Sequence, residues 1–599
     1  MIHYTLSIAN ASAHHFEVRC QITHPNPEGQ RLSLPAWIPG SYKIRDFSKN
    51  ILWLSAESEG HPIPVVKLDK QQWRCNPCSG ALTIRYRIYA WDLSVRSAHL
   101  DENHAFFNGT SLFLNVDGFS NHPHQLTLSP PETTLPWGVA TTLPPVETDE
   151  DGWGRYQCKD YESLIDHPVE MGRFEWINFM VCGVPHAIVL TGHHQADTER
   201  LAEDLSQICE HHTRFFGDME PPVDQYLFLT LVVGSGYGGL EHRDSCALIC
   251  SREDLPRVGD ESVSEGYRKF LGLCSHEYFH LWNIKKIRPE VFSPYRLDRE
   301  SYTRQLWAFE GITSYYDDLS LVQCGLITTE SYLELLGETL TRLQRNRGQW
   351  IQSVTDSSLD AWSKFYQQDE NANNAIVSYY TKGAIIALMI DLYLRQQSSG
   401  QVTLQQVMQP LWERYGKQGR GVPETLIEQL CHQIAGSEIP FLWDALYSTK
   451  PLEPAPLLQR MGVESRLRPT TSKKDRGGQW SKKEPLSWLG ALLTDTHHAL
   501  RVDRVTDGGP AQQAGISSGD QIIALDHLQV SESSLQSILY QREPGSKITI
   551  HLFRRDELME RVATLVAPPN DTVVLELMAA PTPQQTTLQQ QWLHQSDRL

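Results

Sequence analysis

Two histidines four residues apart, with a glutamate beside the first, form the most chemically specific stretch of this chain: Ser275-His276-Glu277-Tyr278-Phe279-His280. On a helix, residues i and i+4 share a face, so His276 and His280 can offer two imidazoles to one cation. Zinc takes such nitrogens at about 2.0–2.1 Å. Glu277 is placed to take a proton from a water that the metal activates. A catalytic zinc uses three protein ligands and keeps a fourth position for water. Glu310, in Leu306-Trp307-Ala308-Phe309-Glu310-Gly311-Ile312, is the candidate third ligand. A carboxylate buried among aromatic residues needs a counter-charge, and a zinc ion is one.

The elements that must carry these residues are legible around them. Ser262-Val263-Ser264-Glu265 has the form of a capping box. Tyr267, Phe270, Leu271 and Cys274 then recur at three- and four-residue steps, which predicts a helix through the histidines, stopped by Pro289. Upstream, Gln225 to Val233 is a strongly apolar strand. It runs into the glycine-rich Gly234-Ser235-Gly236-Tyr237-Gly238-Gly239-Leu240-Glu241-His242. Further helical patterns cover Tyr302 to Leu321, Thr328 to Gln344 and Gly383 to Arg395.

Before residue 165 the pattern changes to period two. Tyr4, Leu6 and Ile8 alternate, as do Phe16, Val18, Cys20 and Ile22, and Leu82, Ile84, Tyr86 and Ile88, which predicts strands with one buried face. The fold class is therefore multidomain α+β. A β-sandwich-like domain spans 1–165, a mainly helical domain 166–463, a polar linker or exposed loop 464–485 and a compact β unit 486–567. A glutamine-rich tail, 568–599, is expected to be loosely ordered from Pro581. The unit at 486–567 contains Gly509-Pro510-Ala511-Gln512-Gln513-Ala514-Gly515-Ile516-Ser517-Ser518-Gly519-Asp520 and resembles a PDZ domain, with Trp488-Leu489-Gly490-Ala491 at the place of its carboxylate-binding loop.

The chain has 599 residues and a net charge of −19, with 72 acidic against 53 basic side chains. That balance argues against nucleic acid or an anionic membrane surface as the main partner. No apolar run reaches the ~20 residues needed to span a bilayer, and the N-terminus lacks the form of a signal peptide. The eleven cysteines are scattered and odd in number, so no disulfide framework is expected, and Cys75-Asn76-Pro77-Cys78 reads as reduced loop cysteines. A cytoplasmic protein fits these features.

Four stretches together resemble the glycyl aminopeptidase family, a gluzincin group related to aminopeptidase N. They are Ser275 to Lys285, Trp307 to Gly311, Gly238 to His242 and Tyr379-Tyr380-Thr381-Lys382-Gly383; the Leu34 to Ile51 segment and the PDZ-like unit match as well. The resemblance implies a thermolysin-like catalytic domain with one Zn2+ per chain on His276, His280 and Glu310, and Glu277 as general base. It makes Tyr380 the oxyanion donor, with Tyr379 as its neighbouring substitute. Gly238, Gly239 and Glu241 stand where relatives hold the substrate's free amine, with Leu240 for a methionine and His242 for an asparagine. Two glycines there let substrate and backbone approach closely. The implied activity is removal of N-terminal residues, glycine or alanine, from peptides with a free N-terminus. The PDZ unit would take a peptide or protein ligand. Two other functions are compatible with the motifs: a PDZ-guided zinc endopeptidase and an inactive zinc-binding scaffold that presents peptides. Glu277 argues against the scaffold, since holding zinc does not require it.

Overall fold

A computed structural model describes residues 2–131, 136–481, 483–497 and 499–594. Lys482 of the expected linker, His498 of the PDZ-like unit and residues 595–599 of the expected tail lie outside the described residues. The chain divides into two compact units. The first holds the chain up to Tyr302 together with Met408–Pro423; the second holds Thr303–Val407 and the chain from Glu424 onward.

In the first unit the period-two segments are strands, and their register explains the core. An eight-stranded sheet carries Ile2–Asn10 between His15–Ile22 and His124–Leu128, with Leu82–Tyr89 next in line. Tyr4 pairs with Cys20 and Cys20 with Ile84; Leu6 pairs with Val18 and Val18 with Tyr86. Each inward row is thus continuous across three strands, and all six side chains are buried. Two four-stranded sheets complete the β-rich region.

Its core continues into a second, five-stranded sheet through Leu227, Leu229, Leu240 and Ala247. The apolar run after Gln225 is Tyr226–Val233, the middle strand, parallel to both neighbours, Val184–Thr191 and Ser245–Ser251. A strand covered on both faces needs apolar residues at every position, which is why alternation vanishes here. The glycine-rich segment does not turn away. Tyr237–Glu241 is the edge strand, antiparallel to Ser245–Ser251.

The histidine-bearing helix is Glu265–Phe279. Its cap is Ser264, whose hydroxyl accepts from the Tyr267 N–H at 3.0 Å, so the expected box from Ser262 is off by two residues. His280 is the C-cap, well before Pro289.

The second unit is built on helices Gly311–Gln323, Thr329–Gln344 and Tyr379–Gln397. Two glycines set the closest contact. A Cβ on Gly311 would lie 2.5 Å from the Gly383 backbone, and one on Gly383 would lie 2.4 Å from the Trp307 carbonyl. The PDZ unit has its own sheet and core around Leu500, Val502, Ile522, Ile548 and Ile550. In its signature stretch, Pro510 opens a short helix, and Gly515 and Gly519 take φ of +75° and +85°. Asp520 accepts from the Ser517 N–H and pairs with Arg554 at 2.8 Å.

Two segments differ from expectation. The linker opens with strand Val463–Pro469, antiparallel to Asn570–Leu577 from beyond the PDZ unit. Within it, Arg468 and Asp475 form a buried pair at 2.6 Å, so charges that look solvated in sequence satisfy each other. The tail is also ordered: Thr582 and Gln585 cap helix Pro583–Leu593 reciprocally, and Leu588, Trp592 and Leu593 are buried. Trp592 donates to the Tyr315 hydroxyl at 3.1 Å. Among the described residues no helix is long and apolar enough to cross a membrane, and all eleven cysteines are thiols.

Candidate active site

Helix Glu265–Phe279 is fixed along its length before any ion is considered. Tyr267 donates to Asp204 at 2.7 Å, Ser275 and His212 share a 2.9 Å hydrogen bond, and Tyr278 and His186 share one at 3.0 Å. Trp282, just past the helix, stacks on Phe216 at 4.8 Å and donates to Asp218 at 3.1 Å. Aromatic rings with satisfied polar ends fix both position and rotation, because buried polar groups without partners are costly.

His276 and His280 therefore face one point. Their Nε2 atoms are 3.0 Å apart, and the rings stand nearly perpendicular with centroids at 4.6 Å. The Nδ1 of His280 lies 2.5 Å from the Asn283 carbonyl. A carbonyl only accepts, so Nδ1 carries the proton and Nε2 keeps its lone pair. A ring nitrogen held by a carbonyl while the other ligates is the usual support of a metal-binding histidine. The donor pair fits zinc.

Glu277 lies next to strand Tyr237–Glu241. A Cβ on Gly239 would sit 2.0 Å from Glu277 Oε1 and 2.5 Å from Cδ. Gly239 is thus the room in which the Glu277 carboxylate rests. Glu241, two residues on, is also seated by a glycine. A Cβ on Gly40, which has φ +86°, would lie 2.5 Å from Glu241 Oε2. This gives the Leu34 to Ile51 segment a task, since Gly40 makes the room in which Glu241 rests. Donor atoms of Glu241, Glu277 and His280 lie within 4.8 Å of one another, and all three residues are buried. Gly238 seats no carboxylate: a Cβ there would come within 4 Å of Arg96 Nη1 alone, at 3.9 Å.

His242 looks inward to structure. Asp166 accepts from His242 Nδ1 at 3.1 Å and from Lys285 Nζ at 2.9 Å, and Arg243 lies 3.4 Å away. Burial alone would raise the Asp166 carboxyl, but Lys285, His242 and Arg243 hold it well below the usual range. One carboxylate thereby ties the edge strand's end to the loop after the histidine helix. Asp166 carries no local sequence signal; only the matched motifs at His242 and Lys285 could have pointed to it.

In the second unit Glu310 is buried and stands at a joint, ending helix Leu306–Phe309 and opening Gly311–Gln323. The Gly311–Gly383 contact sets it beside the start of helix Tyr379–Gln397. Tyr379 is wholly buried, and burial first, then the charges of Tyr366 and Glu310, push its hydroxyl far up. Tyr380 is partly exposed, stacks on Tyr379 at 4.8 Å and has its hydroxyl 3.3 Å from that of Tyr366. Of the two tyrosines, Tyr380 is the one with access.

A β-rich domain before a helical one, with a histidine pair, a glutamate between the two histidines and an edge strand beside them, has the make-up of a metallopeptidase. Comparison with known families makes this specific. Residues 3–173 match the peptidase M61 N-terminal domain, 269–386 the M61 glycyl aminopeptidase and 487–565 a PDZ domain. The crystal structure of an aminopeptidase N family protein from Idiomarina loihiensis is 45% identical, with TM-score 0.95 over 99% of this chain and 100% of that one. An M1 zinc metallopeptidase from Deinococcus radiodurans is 13% identical, with TM-score 0.45 over 76% of this chain and 94% of that one. A search of curated proteins gives no match. The chain belongs to the M61 glycyl aminopeptidase family and is a zinc metallopeptidase with a C-terminal PDZ domain.

Proposed function

We propose that this protein is a one-zinc aminopeptidase that removes N-terminal glycine or alanine from peptides. The observation that carries the reading is the Glu241 carboxylate, buried within a few ångströms of Glu277 and His280. A buried carboxylate needs a cation, and a peptide's α-ammonium is one that brings the first peptide bond to the base.

His276, His280 and Glu310 would hold the zinc. When bound, zinc supplies Lewis acidity to the attacking water and the scissile carbonyl. Glu277 takes the proton of the attacking water and delivers it to the leaving amine. Glu241 pairs with the substrate ammonium, and Gly238 and Gly239 let the substrate lie close to the edge strand. Tyr380 donates a hydrogen bond to the oxyanion as it forms, a contact worth about 3 kcal/mol in comparable sites. The glycyl specificity in the family's description and the family resemblance support the small first residue. The PDZ unit would take an extended peptide by strand addition, the general mode of such domains. We place the enzyme in the cytoplasm, a reading that the eleven thiols support.

The test is hydrolysis of glycine- and alanine-anilides alongside metal analysis. The proposal expects one catalytically required zinc per chain, loss of activity with chelator and its return with zinc. Activity indifferent to chelation in a metal-free chain would overturn it. Equal cleavage of N-acetylated substrates would favour the endopeptidase reading.

A further inference from the structure

We propose a second site for a divalent transition metal, formed by His99, Asp101 and His104 in the first unit and distinct from the His276–His280 pair. The hairpin Ala98–Leu100 and His104–Phe107 brings these residues together. Phe106 pairs with His99, and Asp101 N–H donates to the His104 carbonyl at 3.0 Å, so Asp101 stands opposite His104. Strand alternation puts His99 and Asp101 on one face, and cross-strand pairing adds His104 and Phe106 to it. Glu170, paired with Phe106 from strand Val169–Gly172, shares that face.

The donor geometry resembles that of the histidine pair already described. His99 Nε2 is 3.3 Å from Asp101 Oδ2, and His104 Nδ1 is 3.7 Å from Asp101 Oδ1. One donor from each of the three lies within 4.8 Å of the others, about twice a ligand bond of ~2.0–2.2 Å. The two imidazole centroids are 4.9 Å apart, against 4.6 Å for His276 and His280.

Asp101 faces one nitrogen of each imidazole, His99 Nε2 and His104 Nδ1, and these are the donors a metal would take. His99 Nδ1, His104 Nε2 and Glu170 Oε1 are buried with no hydrogen-bond partner among the described residues. Their residues are only 4%, 8% and 4% exposed. Those three residues line a small cavity whose other walls include Leu93, Leu229 and Leu231. Two imidazoles with one carboxylate suit zinc-class ions, whereas calcium and magnesium take oxygen ligands. Glu170, one strand over from His104, adds a second buried carboxylate to that face.

The experiment counts metal in the full chain after dialysis against zinc or cobalt. Wild type is expected to hold two equivalents, His99→Ala/His104→Ala one, and His276→Ala/His280→Ala one. The last variant should also keep a cobalt absorption band and melt at a higher temperature with zinc than with chelator. Saturation of wild type at one equivalent would overturn the proposal. So would a His276→Ala/His280→Ala variant that binds none and shows no zinc-dependent shift in melting. Neither overturning result requires a change in the hairpin, so the folding of the His99 and His104 variants does not decide the outcome.

Discussion

Gly239→Ala tests the seat of the general base without touching the base itself. The added methyl would lie 2.0 Å from Glu277 Oε1, 2.5 Å from Cδ and 2.9 Å from Cγ, where ordinary contacts are 3.4–4 Å. The strand cannot yield freely, because Gly239 and Leu240 are paired with Leu248 and Ala247. The carboxylate must therefore retreat by more than an ångström. A misplacement of ~1 Å can cost ~10²-fold, equivalent to nearly 3 kcal/mol of barrier. The expected result is kcat lower by about 10²-fold, zinc content unchanged and KM for an alanine-anilide little altered. Gly238→Ala is the comparison: its methyl meets only Arg96 Nη1 at 3.9 Å, so the Glu277 carboxylate and kcat should stay as they are, and any effect should fall on KM, where this glycine lets the substrate approach. Normal kcat in a folded, zinc-loaded Gly239→Ala protein would refute the role given to Glu277. Equal losses in both variants would assign the effect to stiffening of the strand.

Three further predictions follow from the same site. Glu310→Ala should lower zinc occupancy as well as turnover, whereas Glu277→Gln should lose turnover with zinc retained; unchanged zinc stoichiometry in Glu310→Ala places the third ligand elsewhere. Tyr380→Phe should lower kcat by roughly 10²-fold with KM nearly constant, while Tyr379→Phe, whose ring is buried, should not; steady-state kinetics showing the reverse would exchange their roles. Excising 484–567 should leave anilide hydrolysis intact, because the PDZ unit has its own core. A chain ending at the linker, by contrast, should lose stability, since it also removes strand Asn570–Leu577 and buried Trp592. Thermal unfolding of the two deletions separates these outcomes.

Much of the site is written locally. The four-residue spacing of His276 and His280 and the three- and four-residue recurrence before them are helix periodicities, and the helix is there. Its start was misplaced because two serines compete; Ser264 wins since its hydroxyl reaches the Tyr267 N–H. The glycines were legible as sites of close approach, but not what approaches them. Gly40 and Glu241 are two hundred residues apart in sequence, and only the fold shows that one makes room for the other. His242 drew notice as a departure from the family's asparagine, yet its partner Asp166 lies in a stretch with no pattern of its own. The order of the tail is hidden in the sequence for a similar reason. Asn570–Leu577 pairs with Val463–Pro469 across the whole PDZ unit, a register that composition does not reveal. In Pro583–Leu593 the glutamines hide three buried residues. The His99, Asp101 and His104 cluster sits across a hairpin turn, so its residues converge through strand register rather than along one helix face.

The central claim, that Glu241 makes this an aminopeptidase, is tested most directly by kinetics on alanine-anilide and acetyl-alanine-anilide with wild type and Glu241→Ala. Removing one side of a desolvated charge pair costs roughly 3–5 kcal/mol, or about 10²- to 10⁴-fold in kcat/KM. The account predicts that loss for the free-amine substrate alone, with the acetylated substrate poor and unchanged in both proteins. Wild-type cleavage of both substrates at equal rates, or equal losses on both in the variant, would contradict it.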